Sequence, residues 1–84
     1  MPHEVVQVTP IGGTRLLLTF RSGERRQVDV AAIVPFDGVF APLADEAFFR
    51  SVSVNPDLGT IVWPNGADLC PDVLYAQGRA TQAA

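Results

Sequence analysis

The sequence predicts an α+β domain with a mainly antiparallel sheet of about five strands, a meander plus a hairpin, and two short helices on one face. Three observations lead to this fold class. The first third of the chain alternates apolar and polar residues with the period of a strand. Glycine-containing turns separate these segments, and helix-start signals occur at two places later in the chain.

Three consecutive strands are predicted at the start of the chain. Residues 4–9 carry three valines, which suit a pleated surface, and Gly12-Gly13 then provides the φ freedom of a tight turn. Apolar and polar side chains alternate along residues 14–20 and again along 25–30, with the hairpin signal Ser22-Gly23 between them. Each strand therefore offers one apolar face to a common core. The opposite face carries Arg15, Leu17, Thr19, Arg25, Gln27 and Asp29.

Proline and charge positions predict where the helical segments begin and end. Residues 31–34 can form one helical turn before the next proline ends it. Pro42 suits the first position of a short helix with acids in its first turn and Arg50 at its end. Residues 71–77 predict two helical turns, and Gly78 is expected to stop them.

A second hairpin is predicted between these two helices. Residues 51–55 and 60–63 form its strands, and the intervening Asn-Pro-Asp-Leu-Gly sequence contains several turn formers. Asn65-Gly66 follows at once, and both residues of such a pair can adopt positive φ. We assign residues 1–78 to a single domain and residues 79–84 to a frayed C-terminal tail, because the tail has nothing to bury.

Length and composition favour a protein that has a partner. The 84 residues suit one domain near the lower size limit for a self-sufficient core, and 48% of them are apolar. An apolar composition in so small a domain favours a surface that binds another chain. A protein partner is therefore expected, and a homodimer is compatible with the sequence. No apolar run approaches the roughly 20 residues that cross a bilayer, so no membrane association is expected.

Charge and cysteine usage narrow the classes of partner and compartment. The net charge is −3, and an acidic domain repels a phosphate backbone, so no direct contact with nucleic acid is expected. Arg21, Arg25 and Arg26 lie around one hairpin, where they form either a small basic patch or a solvated hairpin tip. The lone Cys70 and an N-terminus without the order of a signal peptide predict a cytoplasmic protein.

Residues 61–75 contain the only Trp, the only Tyr and the only Cys of the chain. Trp63 and Tyr75 are residue types favoured at interfaces, although a tryptophan can equally fill the core of a small domain. Asp68 and Asp72 could share a helix face and bind a metal or exchange protons, but helix capping also explains them. The candidate interaction surface consists of Trp63, Pro64, Asn65, Asp68, Asp72 and Tyr75.

No catalytic, cofactor-binding or metal-binding residue is predicted. Cys70 could gain thiolate character near a helix N-terminus, but the only histidine, His3, lies at a terminus that is expected to fray. The sequence contains neither the Cys/His cluster of a zinc site nor a glycine-rich phosphate loop. It therefore predicts a protein that is not an enzyme.

Several segments together resemble one known family. They include Arg15-Leu-Leu-Leu-Thr-Phe-Arg-Ser-Gly-Glu, the hydrophobic-polar segments at residues 28–32 and 38–45, Phe48-Phe, and the long run from Val52 to Leu69 with its Ile-Val-Trp-Pro-Asn-Gly-Ala-Asp-Leu end. They resemble the bacterial family numbered 2442 among domains of unknown function, over roughly residues 5–76. The resemblance implies a small α+β module without established catalytic residues. In that family some relatives carry a C-terminal helix-turn-helix, and others are encoded beside small toxin-like proteins.

The favoured hypothesis is a non-enzymatic protein-interaction module, for example an antitoxin-like partner of a neighbouring small protein. It would bind through an exposed sheet edge or through the surface around Trp63 and Tyr75. One alternative is a transcription-linked regulator that reaches DNA through a partner. The other is a domain that binds a small molecule or a metal around Asp68.

Overall fold

The computed structural model describes residues 3–80, which form six strands, three short α-helices and one 3-10 segment. The strands are β1 (Val5–Gly12), β2 (Arg15–Phe20), β3 (Arg25–Asp29), β4 (Ser53–Asn55), β5 (Thr60–Val62) and β6 (Arg79–Ala80). The helices are α1 (Val30–Ile33), α2 (Glu46–Phe49) and α3 (Pro71–Gln77), and the 3-10 segment is Gly38–Ala44. None of the helices within this range is long and apolar enough to cross a membrane.

The strands form two antiparallel sheets, which confirms the α+β fold class. The larger sheet has the order β1-β2-β3-β6, and β4 and β5 form a separate two-stranded sheet. The expected single sheet of about five strands is therefore divided in two. The β4–β5 hairpin lies beside the start of β1, where the Val5 N–H donates to the Gly59 carbonyl at 2.9 Å. The same end of β1 contains a register irregularity between Val5 and Gln7.

The core lies on one side of the larger sheet. Leu16 pairs with Val28 and Leu18 with Arg26, so the predicted alternation of β2 and β3 places their apolar side chains on a common face. Side chains from the second half of the chain complete a single cluster with this face. Its buried members are Val5, Leu16, Leu18, Phe20, Val28, Val30, Leu43, Phe49, Ile61, Trp63, Ala67, Leu69 and Leu74.

The turn after β5 is a tight hairpin with a left-handed glycine. The Gly66 N–H donates to the Trp63 carbonyl at 2.9 Å, and the Trp63 N–H donates to the Ala67 carbonyl at 2.8 Å. Gly66 has φ +89°, a backbone conformation that would be strained in a residue with a side chain. Asn65 does not share this conformation, because the described residues with positive φ are all glycines. Of the two turn residues that could adopt positive φ, only Gly66 does so.

The helical segments follow the predicted positions with one interruption. The structure has α3 at the predicted residues, and α1 begins one residue earlier than expected, with the Asp29 carboxylate accepting from the Ala31 N–H. The predicted helix after Pro42 is divided into the 3-10 segment and α2. Asp45 separates them because it is extended (φ −86°, ψ 123°) and its carboxylate caps α2 by accepting from the Phe48 N–H.

The chain after α3 returns to the larger sheet. Arg79 pairs with Gln27 and Ala80 with Arg26, so these two residues form an edge strand rather than the start of a frayed tail. Gly78 allows this return, since a Cβ at Gly78 would lie 2.9 Å from the Cβ of Arg26. Residues 81–84 of the predicted tail lie outside the described residues.

Candidate functional site

Trp63 belongs to the core and not to an exposed surface. Only 2% of its surface is exposed, and its ring lies 6.0 Å from the ring of Phe49. The indole N–H donates to the Phe49 carbonyl at 3.0 Å, which satisfies its one polar group. Of the two roles considered for Trp63, the structure therefore supports the core role.

Pro64 and Asn65 are exposed, but the Asn65 amide is used within the protein. Its nitrogen donates to the Val39 carbonyl at 2.9 Å, and its oxygen accepts from the Ala67 N–H at 3.1 Å. The side chain thus links the turn to the 3-10 segment Gly38–Ala44. This structural role leaves Pro64 as an exposed turn residue beside it.

Asp68 and Asp72 do not share a helix face, because α3 begins at Pro71. Asp68 is exposed and pairs with Val62 in an isolated β-bridge, while Asp72 lies in the first turn of α3. Within residues 3–80, no three His, Cys, Asp or Glu side chains are grouped so that they could hold a metal ion. The two carboxylates are therefore separate features of the surface.

Tyr75 lies at the centre of a cluster that contains His3, Glu24, Arg26 and Asp72, which we call the Tyr75 cluster. The His3 ring stacks on the Tyr75 ring at 3.8 Å, and the Arg26 guanidinium carbon lies 3.8 Å from the same ring centre. Two groups at that distance must occupy opposite faces of the ring. The Tyr75 hydroxyl donates to Glu24 at 2.8 Å, and His3 contacts the Asp72 carboxylate at 3.0 Å.

The Tyr75 cluster attaches α3 to the larger sheet. Arg26 donates to Glu24 at 2.8 Å, and it also donates to the carbonyls of Tyr75 and Gly78 at 3.0 and 3.1 Å. A cation at the end of a helix satisfies carbonyls that have no helical partner. The hydrogen bond from Tyr75 lowers the pKa of the Glu24 carboxyl, with help from Arg26, while burial acts in the opposite direction. The opposite charges of Arg26 and Glu24 neutralise each other.

Sequence reasoning missed this cluster because its members are far apart in the chain. Tyr75 lies 51 residues from Glu24, and His3 lies 69 residues from Asp72. No local pattern reports contacts over such separations. His3 was expected to fray, but the structure packs it against Tyr75.

The arginines of the β2–β3 hairpin do not form the basic patch that the sequence allowed. Arg21 donates to both carboxylate oxygens of Glu4 at 3.0 Å, and Arg26 is held in the Tyr75 cluster. Arg25 points to the opposite face of the sheet from Arg26, since side chains alternate along a strand. The three arginines therefore lie in three different environments.

The larger sheet has a second face, which we call the outer face, directed away from the core. Its cross-strand rows follow from the register: Thr9, Leu17, Gln27 and Arg79 form one row, and Gln7, Thr19 and Arg25 form the next. Leu17, Thr19 and Gln27 at its centre are half-buried, whereas its other members are exposed. The outer face consists of Gln7, Thr9, Arg15, Leu17, Thr19, Arg25, Gln27, Asp29 and Arg79.

The outer face is positively charged although the protein is acidic. It carries three of the six arginines and one of the nine acidic residues. The exception, Asp29, accepts hydrogen bonds from the Thr14 hydroxyl and the Ala31 N–H. Within the part of the chain that the structure describes, Arg15, Arg25 and Arg79 form no ion pair. All three side chains are exposed.

A groove of about 710 Å³ borders the outer face at β3 and β6. Three outer-face residues line it together with apolar side chains of α1. The lining residues are Gln27, Val28, Asp29, Ala32, Ile33, Gln77, Arg79 and Ala80. The alternation in β2 and β3 was enough to predict most of the outer face from the sequence. Arg79 was missed because β6 has no sequence signal.

A family model described as "Protein of unknown function (DUF2442)" matches residues 5–80, nearly the whole chain. This match confirms the resemblance inferred from the sequence. Comparisons with curated proteins and with solved structures find no significant match.

Proposed function

We propose that this chain, which belongs to the DUF2442 family, is a non-enzymatic protein-interaction module that binds its partner through the outer face. One observation carries the proposal: the outer face combines a half-buried leucine at its centre with exposed arginines that form no ion pair with the other residues of the range 3–80. An apolar centre within a polar rim is the usual arrangement of a protein interface, and arginine is enriched there.

The segment with Trp63 and Tyr75 supports the fold in this proposal. Trp63 is buried, and the polar groups of Asn65 and Tyr75 have partners within the chain. Binding through these residues would require breaking those contacts first. The outer face requires no such rearrangement, because antiparallel sheets commonly leave one face to solvent.

Pairing through a sheet edge is less favoured than binding through the outer face. The edge strand β1 contains Pro10, which cannot donate a ladder hydrogen bond, and an irregularity after Val5. The other edge strand, β6, has two residues within the range that the structure describes. Short, bulged and proline-containing edges are features that protect sheets from pairing with other chains.

The first experiment is affinity purification of the tagged protein from its own host, with Leu17→Gln as the test variant. Leu58→Gln is the matched control, because Leu58 is an exposed leucine (47%) in the β4–β5 turn, away from the outer face. We expect a stoichiometric protein to co-purify with the wild type and the control, and to be lost with Leu17→Gln. A partner retained by Leu17→Gln, or recovery of the protein alone, would contradict the proposal.

The identity of the recovered protein distinguishes two forms of the proposal. A small toxin-like protein encoded beside this chain would support the antitoxin-like role that the family resemblance implies for some relatives. Recovery of a DNA-binding protein would support the regulator instead, which acts on DNA through its partner.

A further inference from the structure

We infer that the partner presents an acidic polypeptide segment to the outer face, with carboxylates at Arg25 and Arg79 and an aliphatic side chain in the adjoining groove. The inference rests on the proposed function, since it assumes that the outer face is the interface. It adds the chemistry of the partner, which the interface alone does not specify.

The distribution of charge favours an acidic partner. Three arginines against one aspartate give the outer face a net charge of +2, which leaves −5 for the rest of a chain whose total is −3. Asp37, Asp45, Glu46, Asp57, Asp68 and Asp72 belong to the segments whose apolar residues pack on the core side. Complementary charge at an interface selects the partner and speeds the encounter.

The spacing of Arg25 and Arg79 fits the repeat of an extended chain. Arg79 pairs with Gln27, so Arg25 is its diagonal neighbour on the same face, at a Cα separation of about 7–8 Å. Alternate residues of an extended segment are about 6.6–6.8 Å apart and point the same way. Carboxylates at alternate positions can therefore meet the two guanidinium groups, each of which can bind a carboxylate through two N–H donors.

The groove beside this pair accepts an apolar side chain. Ala32 and Ile33 line one part of it, and Arg79 lines another, so an aliphatic side chain two residues beyond the carboxylate at Arg79 can enter the groove from the same side of the segment. An acidic segment with an aliphatic residue at the next position that points the same way fits both features together. Glu-Ser-Glu-Ser-Val, in which both acids and the valine face the protein, is the simplest sequence of this kind.

Two other occupants are less compatible with the charge distribution. Nucleic acid would bring phosphates close to a protein whose remaining charge is −5, and the outer face offers only three cations against them. A second copy would have to place its acidic side on the outer face of the first. Such a head-to-tail contact continues indefinitely unless its rotation closes a ring.

The test is an NMR titration of the ¹⁵N-labelled protein with a short peptide of sequence Glu-Ser-Glu-Ser-Val. We expect amide shifts confined to β2, β3, β6 and α1, with affinity that falls as sodium chloride is raised. The double variant Arg25→Glu/Arg79→Glu should bind about tenfold more weakly, because it removes both exposed ion pairs with the peptide. Arg50→Glu is the matched control, since Arg50 is an exposed arginine outside the outer face, and it should bind as the wild type does.

Four results would overturn the inference. They are equal binding of a peptide with glutamine in place of glutamate, shifts centred away from the outer face, tighter binding of a duplex DNA at the same residues, and concentration-dependent self-association that the double variant abolishes. Each names a different occupant or a different site.

The host-purified partner separates failure of this inference from failure of the proposed function. The partner could be lost with Leu17→Gln but still bind the double variant Arg25→Glu/Arg79→Glu in high salt. That result would refute the acidic chemistry and leave the outer face as the interface. A partner indifferent to all three substitutions would refute both.

Discussion

Arg25 and Arg26 are neighbours in β3, yet they point into two regions that use charge in opposite ways. Arg26 lies over the Tyr75 ring and donates to Glu24 and to the carbonyls at the end of α3. Arg25 is exposed on the outer face and forms no ion pair with the other described residues. Contacts within the chain, more than residue type, therefore distinguish arginines that stabilise the fold from arginines that can bind another protein.

The largest loss of stability is expected from a substitution in the core, on which both regions pack. Trp63→Ala should lower the free energy of unfolding by about 3–5 kcal/mol, because the cavity and the lost indole contact with Phe49 cannot be refilled. Urea denaturation measures the change. Pro64→Ala, at the exposed residue next in the chain, is the control and should change stability far less. Equal effects of the two substitutions would show that Trp63 is not a core residue.

A direct comparison of the two arginines should give a smaller difference. Arg26→Ala should lower the free energy of unfolding by about 1–2 kcal/mol, since it removes the contact with the Tyr75 ring and the hydrogen bonds to α3. Arg25→Ala should stay within about 0.5 kcal/mol of the wild type, as exposed substitutions usually do. Thermal and urea unfolding of the two variants test this, and a larger loss from Arg25→Ala would reverse the assignment of the two regions.

The difference between the two regions also explains which parts could be predicted from the sequence. Alternation in β2 and β3 predicted their faces, including Arg25 on the side opposite Arg26, because the strand period is a local property. The Tyr75 cluster could not be predicted, because it depends on contacts such as Glu24 with Tyr75 between distant segments. The short strand at Arg79 depends on the same docking of α3, so its place in the outer face was missed as well.

Local signals also compete, and the competition explains the segment around Pro42. Proline and the following acids predicted one helix, but Asp45 used its carboxylate to cap α2. A capping residue has extended φ and ψ, so it ends whatever precedes it and begins a new helix. The same residue type at Asp29 starts α1 directly after β3. In both places the acid marks the residue at which a helix begins.

Acid pH should give the smallest effect of the three. It should act on the Tyr75 cluster, because the groups around Glu24 lower the pKa of that carboxyl. The Tyr75 hydroxyl and then Arg26 hold the pKa of Glu24 below its ordinary value of 4.5, and the nearby His3 acts in the same direction. A carboxyl with a lowered pKa in the folded state contributes stability above its unfolded pKa and loses it as pH falls through the folded value. Stability should therefore decline as pH falls below 4.5.

Urea unfolding at a series of pH values, from neutral to below that range, measures this decline. Glu24→Gln should reduce it, because glutamine can accept the Tyr75 hydrogen bond but does not titrate. Part of the decline should remain, since Arg21 lowers the pKa of Glu4 in the same way. Arg25→Ala should keep the full decline, because Arg25 forms no ion pair with another described residue and does not contribute to the lowered pKa of Glu24. If Arg25→Ala and Glu24→Gln changed the pH dependence equally, the two arginines would not belong to separate electrostatic regions.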